Sequence, residues 1–480
     1  MASRALNRNR KVVDLSRVCF LQQRAISTVP RPYKPAAPLP SRSIPRQVSC
    51  VRSIPVRHAR YSSSSSAPLL KTPLYDLHVR YDGKMVEFGG HAMPVQYADQ
   101  GIGESHRYVR EACGLFDVSH MVQHQFTGPT AAAFLESITP SDLKSLEPFS
   151  STLSVLLLPT GGIVDDTIIT KHDENAFYVV TNAGCRDKDL AFLSEKLKEW
   201  NAQAGEGEQV RHDVLARGLI ALQGPEASKV LQSLLKPEDE ALDSTLFFGQ
   251  SKFATITVDG EDVPIHIARG GYTGEDGFEI SIPAEQTELV VEAMLDAEDC
   301  VTKLAGLGAR DSLRLEAGMC LYGHDIDENT TPVEGNLTWL VAKSRRKDAN
   351  FPGASTILKQ IKEGPSRRRI GLIVNGAPAR EGAIIKTADG EKIGVITSGC
   401  PSPTLGKNIA MGYVEEKYKK VGTEVVVEVR GKPRQAVIAK MPFVPAKYHK
   451  SDGGSSPDSS SSSGLFSAFA TGAIFASIFD

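Results

Sequence analysis

An α+β fold of mainly antiparallel sheets with helices, followed by a barrel-like all-β domain, is the architecture this sequence predicts. Three observations carry it. Ahead of the C-terminal part the apolar periodicity runs strand, strand, helix, strand, helix, strand, strand, which suits antiparallel sheet better than regular βαβ units. From residue 370 to 443 strand-like runs recur between the turn signals Asn375-Gly376, Asp389-Gly390, Ser398-Gly399 and Gly431-Lys432-Pro433, the cadence of a small barrel or sandwich. Between β-rich runs at 263–268 and 278–282 lies Arg269-Gly-Gly-Tyr-Thr-Gly-Glu-Asp-Gly277, where glycines let the backbone approach a neighbour closely. Its acids, Glu275 and Asp276 with Glu279 just beyond, would repel phosphate and suit a neutral heterocycle with N–H donors. An ordinary glycine-rich hairpin is the plainer alternative.

At 480 residues the chain has room for two or three domains, and 41% hydrophobic against 23% charged residues is a globular composition. The formal charge of −2 conceals an asymmetry. Residues 1–61 hold 13 Lys and Arg but one acid, Asp14, and are rich in Ser and Pro, as mitochondrial transit segments are; Arg60-Tyr61 places a cut near Ser62. The remainder has 42 basic and 56 acidic residues, and a charge of −14 argues against nucleic acid as main partner. No stretch of that body reaches the ~18 apolar residues of a membrane span. Seven cysteines without a C-x-x-C pair form neither a zinc motif nor a disulfide framework.

Taken in order, residues 104–111 read as a short helix, and 115–126 alternate as one strand with His120 and His124 on a shared face. Lacking a third ligand nearby, these histidines read as structural rather than metal-binding. Residues 130–138 form a helix after a Gly-Pro turn, and strands at 153–158 and 163–170 flank the turn Pro159-Thr-Gly-Gly162. The returning strand places Asp165 and Asp166 among apolar residues. Because strand side chains alternate, one carboxylate shares the face of Val164 and Ile168, the other that of Ile163 and Ile169. A carboxylate facing a core must be paired or used, so the pair is a candidate site, though periodicity does not choose between its members. Strands at 177–182 and 217–223 are followed by helices at 188–200 and 226–235, and a further helix covers 284–294. Gly306-x-Gly308-x-x-Asp311 lacks the third glycine of a dinucleotide fingerprint, as does Gly101-x-Gly103-x-x-His106, so no nucleotide cofactor is expected. Arg310, Arg314 and Glu316 read as an internal ion-pair network or, for Arg310, as a fixed cationic anchor for a carboxylate. The domain expectation is a transit segment (1–61), a main region in two subdomains (62–343), a basic linker, polar and helical (344–369), an all-β domain (370–450) and a Ser/Gly-rich tail with a short apolar end (451–480).

Several separated motifs, in this order, resemble the aminomethyltransferase family, the T-proteins of the mitochondrial glycine cleavage system. They are Leu115-Phe-Asp-Val-Ser-His-Met121, Gly161-Gly-Ile-Val-Asp-Asp166, Gly271-Tyr-Thr-Gly-Glu-Asp-Gly277, Gly306-Leu-Gly-Ala-Arg-Asp311 with Arg314-Leu-Glu316, Thr397-Ser-Gly399 and Met441-Pro-Phe-Val-Pro445. The resemblance spans about residues 72–450. It implies a folate-binding fold and an enzyme that moves the carbon of an aminomethyl group from the lipoyl arm of H-protein to tetrahydrofolate, in the mitochondrial matrix. Tetrahydrofolate is then a co-substrate, and neither metal nor nucleotide cofactor is implied. Asp166 is implied as the essential acid, Glu279 as the carboxylate facing the pterin, Tyr272 as a pocket wall, and Asn182, Arg310 and Tyr448 as ligand contacts. The clusters Arg345-Arg346-Lys347 and Arg367-Arg368-Arg369 become candidates for docking an acidic carrier protein. Leu153 stands where many relatives have tyrosine, and Gly90-His91 where many have Gly-Trp; neither departure touches the acids. Iron-sulfur assembly factors of the same fold carry a Lys-Gly-Cys-x-x-Gly-Gln loop, which Gly271-Tyr-Thr-Gly-Glu275 does not match.

Overall fold

The computed structural model describes residues 68–239, 241–298 and 300–451. The expected transit segment with its cut, and the tail from residue 452, lie outside the described residues.

A hairpin, β1 (Gly83–Phe88) and β2 (His91–Tyr97), precedes two larger sheets. The six-stranded sheet runs β10 (Ser251–Val258), β11 (Glu261–Arg269), β12 (Gly277–Pro283), β9 (Arg217–Gln223), β3 (Cys113–Asp117), β13 (Thr302–Leu304). The five-stranded one runs β5 (Ser151–Leu157), β6 (Ile163–Asp173), β7 (Ala176–Thr181), β4 (Val122–Thr127), β8 (Arg211–Val214). Pairing is antiparallel except between β3 and β13, which are parallel. Beyond them β14 (Arg367–Val374), β17 (Lys407–Glu415), β16 (Lys392–Ser402), β15 (Ile384–Lys386), β18 (Glu424–Val429) and β19 (Lys432–Ala439) close into a barrel. The barrel, rather than a sandwich, thus resolves the turn-rich C-terminal pattern.

Alternation along the strands builds three layers. Ile220, Leu222, Phe278 and Ile280 point one way and pack under helices Ala227–Gln232 and Thr287–Leu295. On the other face Phe116, Leu219 and Ala221 meet Tyr178 and Val180 of the second sheet and Ala309 and Leu313 of helix Leu307–Glu316. The far side of the second sheet, with Phe126, Ile169, Phe177 and Val179, is covered by helices Ala131–Ile138 and Arg186–Asn201. Each buried large side chain contributes roughly 1.5–3 kcal/mol of transfer free energy, so both sheets are firmly held and the space between them is shaped.

Two expectations fail locally. The single strand over 115–126 is two strands in different sheets, joined by a turn in which Val118 N donates to Leu219 O (3.0 Å) and Met121 N to Val118 O (3.0 Å). Every residue of β3 is buried, so the apolar pattern shows no break there. The polar helical linker expected over 344–369 does hold a helix, but one with an apolar face. Helix Ala354–Glu363 buries Ile357 against Val155, Leu157 and Ile163 of the β5–β6 hairpin, and Arg367 to Arg369 already belong to β14. At the turn of that hairpin a Cβ on Gly162 would lie 1.8 Å from Glu328 O, which is why this position admits only glycine. Among the described residues no helix is long and apolar enough to cross a membrane.

Candidate active site

The double aspartate of β6 sits beside a β-bulge, where Leu156 opposes Asp165 but Leu157 opposes Ile163. The extra residue, Val164, breaks the alternation, so Val164 and Ile169 share one core and Ile163 another. Asp165 points toward helix Arg186–Asn201 and is fully buried; Asp166 is only partly buried. Both carboxylates are therefore drawn inward, on different faces, where one was expected. Asn182, at the end of β7, ties them together: its Nδ2 donates to Asp165 Oδ1 (2.9 Å) and Asp166 Oδ1 (2.9 Å), and its backbone N to Asp165 Oδ2 (2.9 Å). Burial, reinforced by the negative charge of Asp165, raises Asp166 to about 7 against the pull of the Asn182 hydrogen bond. Asp166 is thus poised to hold or release a proton near neutrality.

Across from it stand three residues from other elements. Tyr272, in the loop between β11 and β12, donates its hydroxyl to the Cys320 carbonyl and feels the charges of Asp166 and Arg310. The guanidinium of Arg310, on helix Leu307–Glu316, lies over the Tyr272 ring at 4.7 Å, and its buried Nη1 has no hydrogen-bond partner. Glu279 on β12 shares the face of Ala221, interacts with Arg310 through space, and makes no hydrogen bond among the described residues. Burial raises the Glu279 carboxyl while Arg310 opposes that shift. An unpaired cation and an unpaired acid facing one interior space are each unsatisfied alone, which is the condition of groups held ready for a ligand.

Other expected site groups are engaged elsewhere. Glu275 is buried and pairs with Arg110 (2.9 Å) and Lys447 (3.2 Å), while Asp276 binds Arg269, whose guanidinium also reaches Asp243 (2.9 Å). Two of the three loop acids therefore fasten the loop, leaving Glu279 alone to face a ligand. The supposed network of Arg310, Arg314 and Glu316 divides likewise. Arg314 pairs with Asp325 (2.7 Å) and Asp311 (2.8 Å), and Glu316 gathers Arg110, His106, Ser402 and Thr404; Arg310 joins neither. Tyr448 makes no hydrogen bond or ring contact with the Asp166 group among the described residues; it stacks on Phe248 at 3.9 Å, beside the loop at Gly274. The chain end that carries it is tied down by Lys447 N to Gly274 O (2.8 Å), Phe248 N to His449 O (2.8 Å) and Phe443 N to Glu316 O (2.8 Å).

Of the six residues in the basic clusters, Arg345 and Arg369 are buried, and most of the others are bonded within the fold. Arg345 donates to Glu136 O and Asn350 O, Arg346 to Val341 O and Thr338 O, Arg368 to Glu416, and buried Arg369 to Gly335 O and Gly318 O. Arg367 is half-exposed beside Glu334, and Lys347 is exposed. Sequence reasoning overlooked the buried Asp189 and Cys185 behind Asp165. It also read His120 as satisfied, whereas that imidazole, kept neutral at about 3 chiefly by burial, lies near Phe88 and His91 with Nδ1 unpartnered. His124 does conform, bonding Thr181 and His212.

Two packed sheets enclosing such a space, with a closed barrel appended, define a transferase of the glycine-cleavage type: residues 74–345 match the GCVT N-terminal domain and 367–445 the glycine cleavage T-protein C-terminal barrel domain. A protein of Schizosaccharomyces pombe named probable aminomethyltransferase, mitochondrial, is 52% identical over 81% of this chain and 96% of its own length. The mitochondrial aminomethyltransferase of Homo sapiens is 46% identical over 83% and 96%. The solved glycine cleavage system aminomethyltransferase T from Bartonella henselae superposes with a TM-score of 0.70 at 38% identity, covering 79% of this chain and 99% of that one. The chain belongs to the aminomethyltransferase family of the glycine cleavage system.

Proposed function

We propose that this chain transfers the one-carbon unit of an aminomethyl-lipoyl H-protein to tetrahydrofolate in the mitochondrial matrix, yielding 5,10-methylenetetrahydrofolate and ammonia. The observation that supports this most is the arrangement of Asp166 opposite Tyr272, Arg310 and Glu279, with no hydrogen bond satisfying Glu279 or Arg310 Nη1. Glu279 accepts the two N–H donors of an aminopyrimidinone edge in a fork. Arg310, permanently charged and braced by the Tyr272 ring, anchors an anionic or carbonyl group of the same ligand. Tetrahydrofolate, when bound, supplies the two nitrogens that take the carbon. Asp166, ionising near neutrality and fixed by Asn182, stabilises positive charge developing there and accepts a proton released as the carbon is taken up. Tyr448, fixed by its stack on Phe248 beside the loop at Gly274, is assigned a ligand contact there. The names of the relatives support the mitochondrial setting.

The test is methylenetetrahydrofolate formation from aminomethyl-loaded H-protein. Asp166→Ala is expected to lose at least about 100-fold in kcat, and Glu279→Gln to raise the KM for tetrahydrofolate more than it lowers kcat. Full activity in Asp166→Ala would remove the assignment.

A further inference from the structure

Behind Asp166 lies a second group of acids that the roles above do not use. Asp165, and Asp189 in the first turn of helix Arg186–Asn201, are fully buried, and their oxygens lie within 4.8 Å of one another and of the Cys185 sulfur. Neither carboxylate oxygen of Asp189 has a hydrogen-bond donor. Two ionised carboxylates only accept, so a doubly charged pair would leave Asp189 unsatisfied while it repels Asp165; one proton removes both penalties at once. The surroundings favour one negative charge and oppose two. The helix N-terminus and the Lys188 ammonium attract an anion, but Lys188 is also bound to Glu328 (2.7 Å) and the Tyr322 hydroxyl (2.6 Å). Asp166 on the same strand adds a like charge, and Thr181, Asn182 and the Cys185 thiol add none. Burial, then the charge of Asp165, pushes Asp189 up to about 10.

We propose that Asp165 and Asp189 share one proton and so hold Asn182 in place, making Asp189 a positioning residue for Asp166. The chain of contacts is continuous. Asp189 faces Asp165 with a carboxylate oxygen of each within 4.8 Å, both oxygens of Asp165 accept from Asn182, and the same Asn182 Nδ2 reaches Asp166. Asp165 keeps both oxygens as acceptors only while the proton resides with its partner. Without that donor Asp165 stays ionised but loses the contact that fixes its orientation, Asn182 is held less firmly, and Asp166 loses its fixed orientation.

The kinetic part of this inference rests on the reading of Asp166 as the reactive acid; the spectroscopic part does not. The experiment compares full-length wild type with Asp189→Asn and Asp189→Leu. It reads infrared difference spectra at about pH 9, where ordinary carboxyls are ionised, and kcat for methylenetetrahydrofolate formation. A protonated-carboxyl band that shifts in D2O is expected in the wild type and lost in both variants. Asparagine still donates to Asp165 and should keep kcat within about tenfold of wild type, whereas leucine should lower it about 100-fold with both KM values unchanged. Asp189→Ala serves the same comparison if the leucine variant does not fold. Spectra in which neither variant loses a band would overturn the shared proton, and equal kcat values for the amide and apolar variants would overturn the positioning role. An Asp166→Ala enzyme with full activity would refute the Asp166 assignment while leaving the infrared result standing.

Discussion

On the proposed roles, Asp166 is the residue through which pH acts on activity. Its carboxyl titrates at about 7, so kcat should decline as pH falls through that value, and Asp166→Asn should abolish the limb along with most of the activity. Stability runs the opposite way. A folded-state value above the ordinary 3.8 means the fold binds the proton more tightly than the unfolded chain, so stability is lost as pH rises from about 4 to about 7. Asp166→Asn, never charged, should therefore be more stable than wild type at about pH 8, by on the order of 1–3 kcal/mol, and no more stable at about pH 4. Thermal melts at the two pH values read this directly. Much of this was legible in the chain itself: two acids inside an apolar strand announce a carboxylate in a core. What alternation missed was the bulge at Val164, because one inserted residue reverses every face beyond it without altering composition. Arg310 was left open for a related reason, since only three-dimensional contacts separate it from Arg314, whose pairs with Asp311 and Asp325 take it out of the site.

At the level of elements, the glycine-rich loop works through what holds it. Its position between two strands followed from the flanking periodicity, but the partners of its acids did not. Arg110 lies in a distant helix and Lys447 near the end of the barrel segment, and neither separation leaves a local signal. The shared anchor is Glu316. Burial works against its charge, yet hydrogen bonds from His106, Ser402 and Thr404 outweigh that and hold it down to about 2. Glu316→Ala strips partners from Arg110 and His106 in a buried setting and should cost about 3–5 kcal/mol, measured by denaturant unfolding. Glu316→Gln, retaining the hydrogen bonds it can accept, should lose less. Gly274 makes a second test of the loop: its φ of 78° and the 3.1 Å approach of an added Cβ to Ala317 Cβ predict that Gly274→Ala raises the KM for tetrahydrofolate before it lowers kcat.

For the whole molecule, the acidic body and the basic clusters invite a docking surface, and the structure redirects that expectation. Arg369 is buried among carbonyls, so Arg369→Glu should unfold the barrel junction, losing at least about 3 kcal/mol and several degrees of melting temperature. Exposed Lys347→Glu should leave the melting temperature unchanged, so it reports on H-protein affinity without the confounding loss of stability. Fold class and the all-β cadence of the C-terminal part were readable because turn residues and alternating strands are local. The parallel β3–β13 pair and the burial of Ile357 by helix Ala354–Glu363 were not, because both are decided by tertiary packing. The return of residues 443–449 across the loop at Gly274 also orders events during synthesis. The two sheets and Asp166 leave the ribosome long before the segment that clamps the loop, so a nascent chain carries Asp166 while the loop across from it is still loose. A message cut short ahead of Phe443 would thus yield a polypeptide with Asp166 in place and no clamped loop across from it, and on the proposed roles translation itself would time the onset of activity.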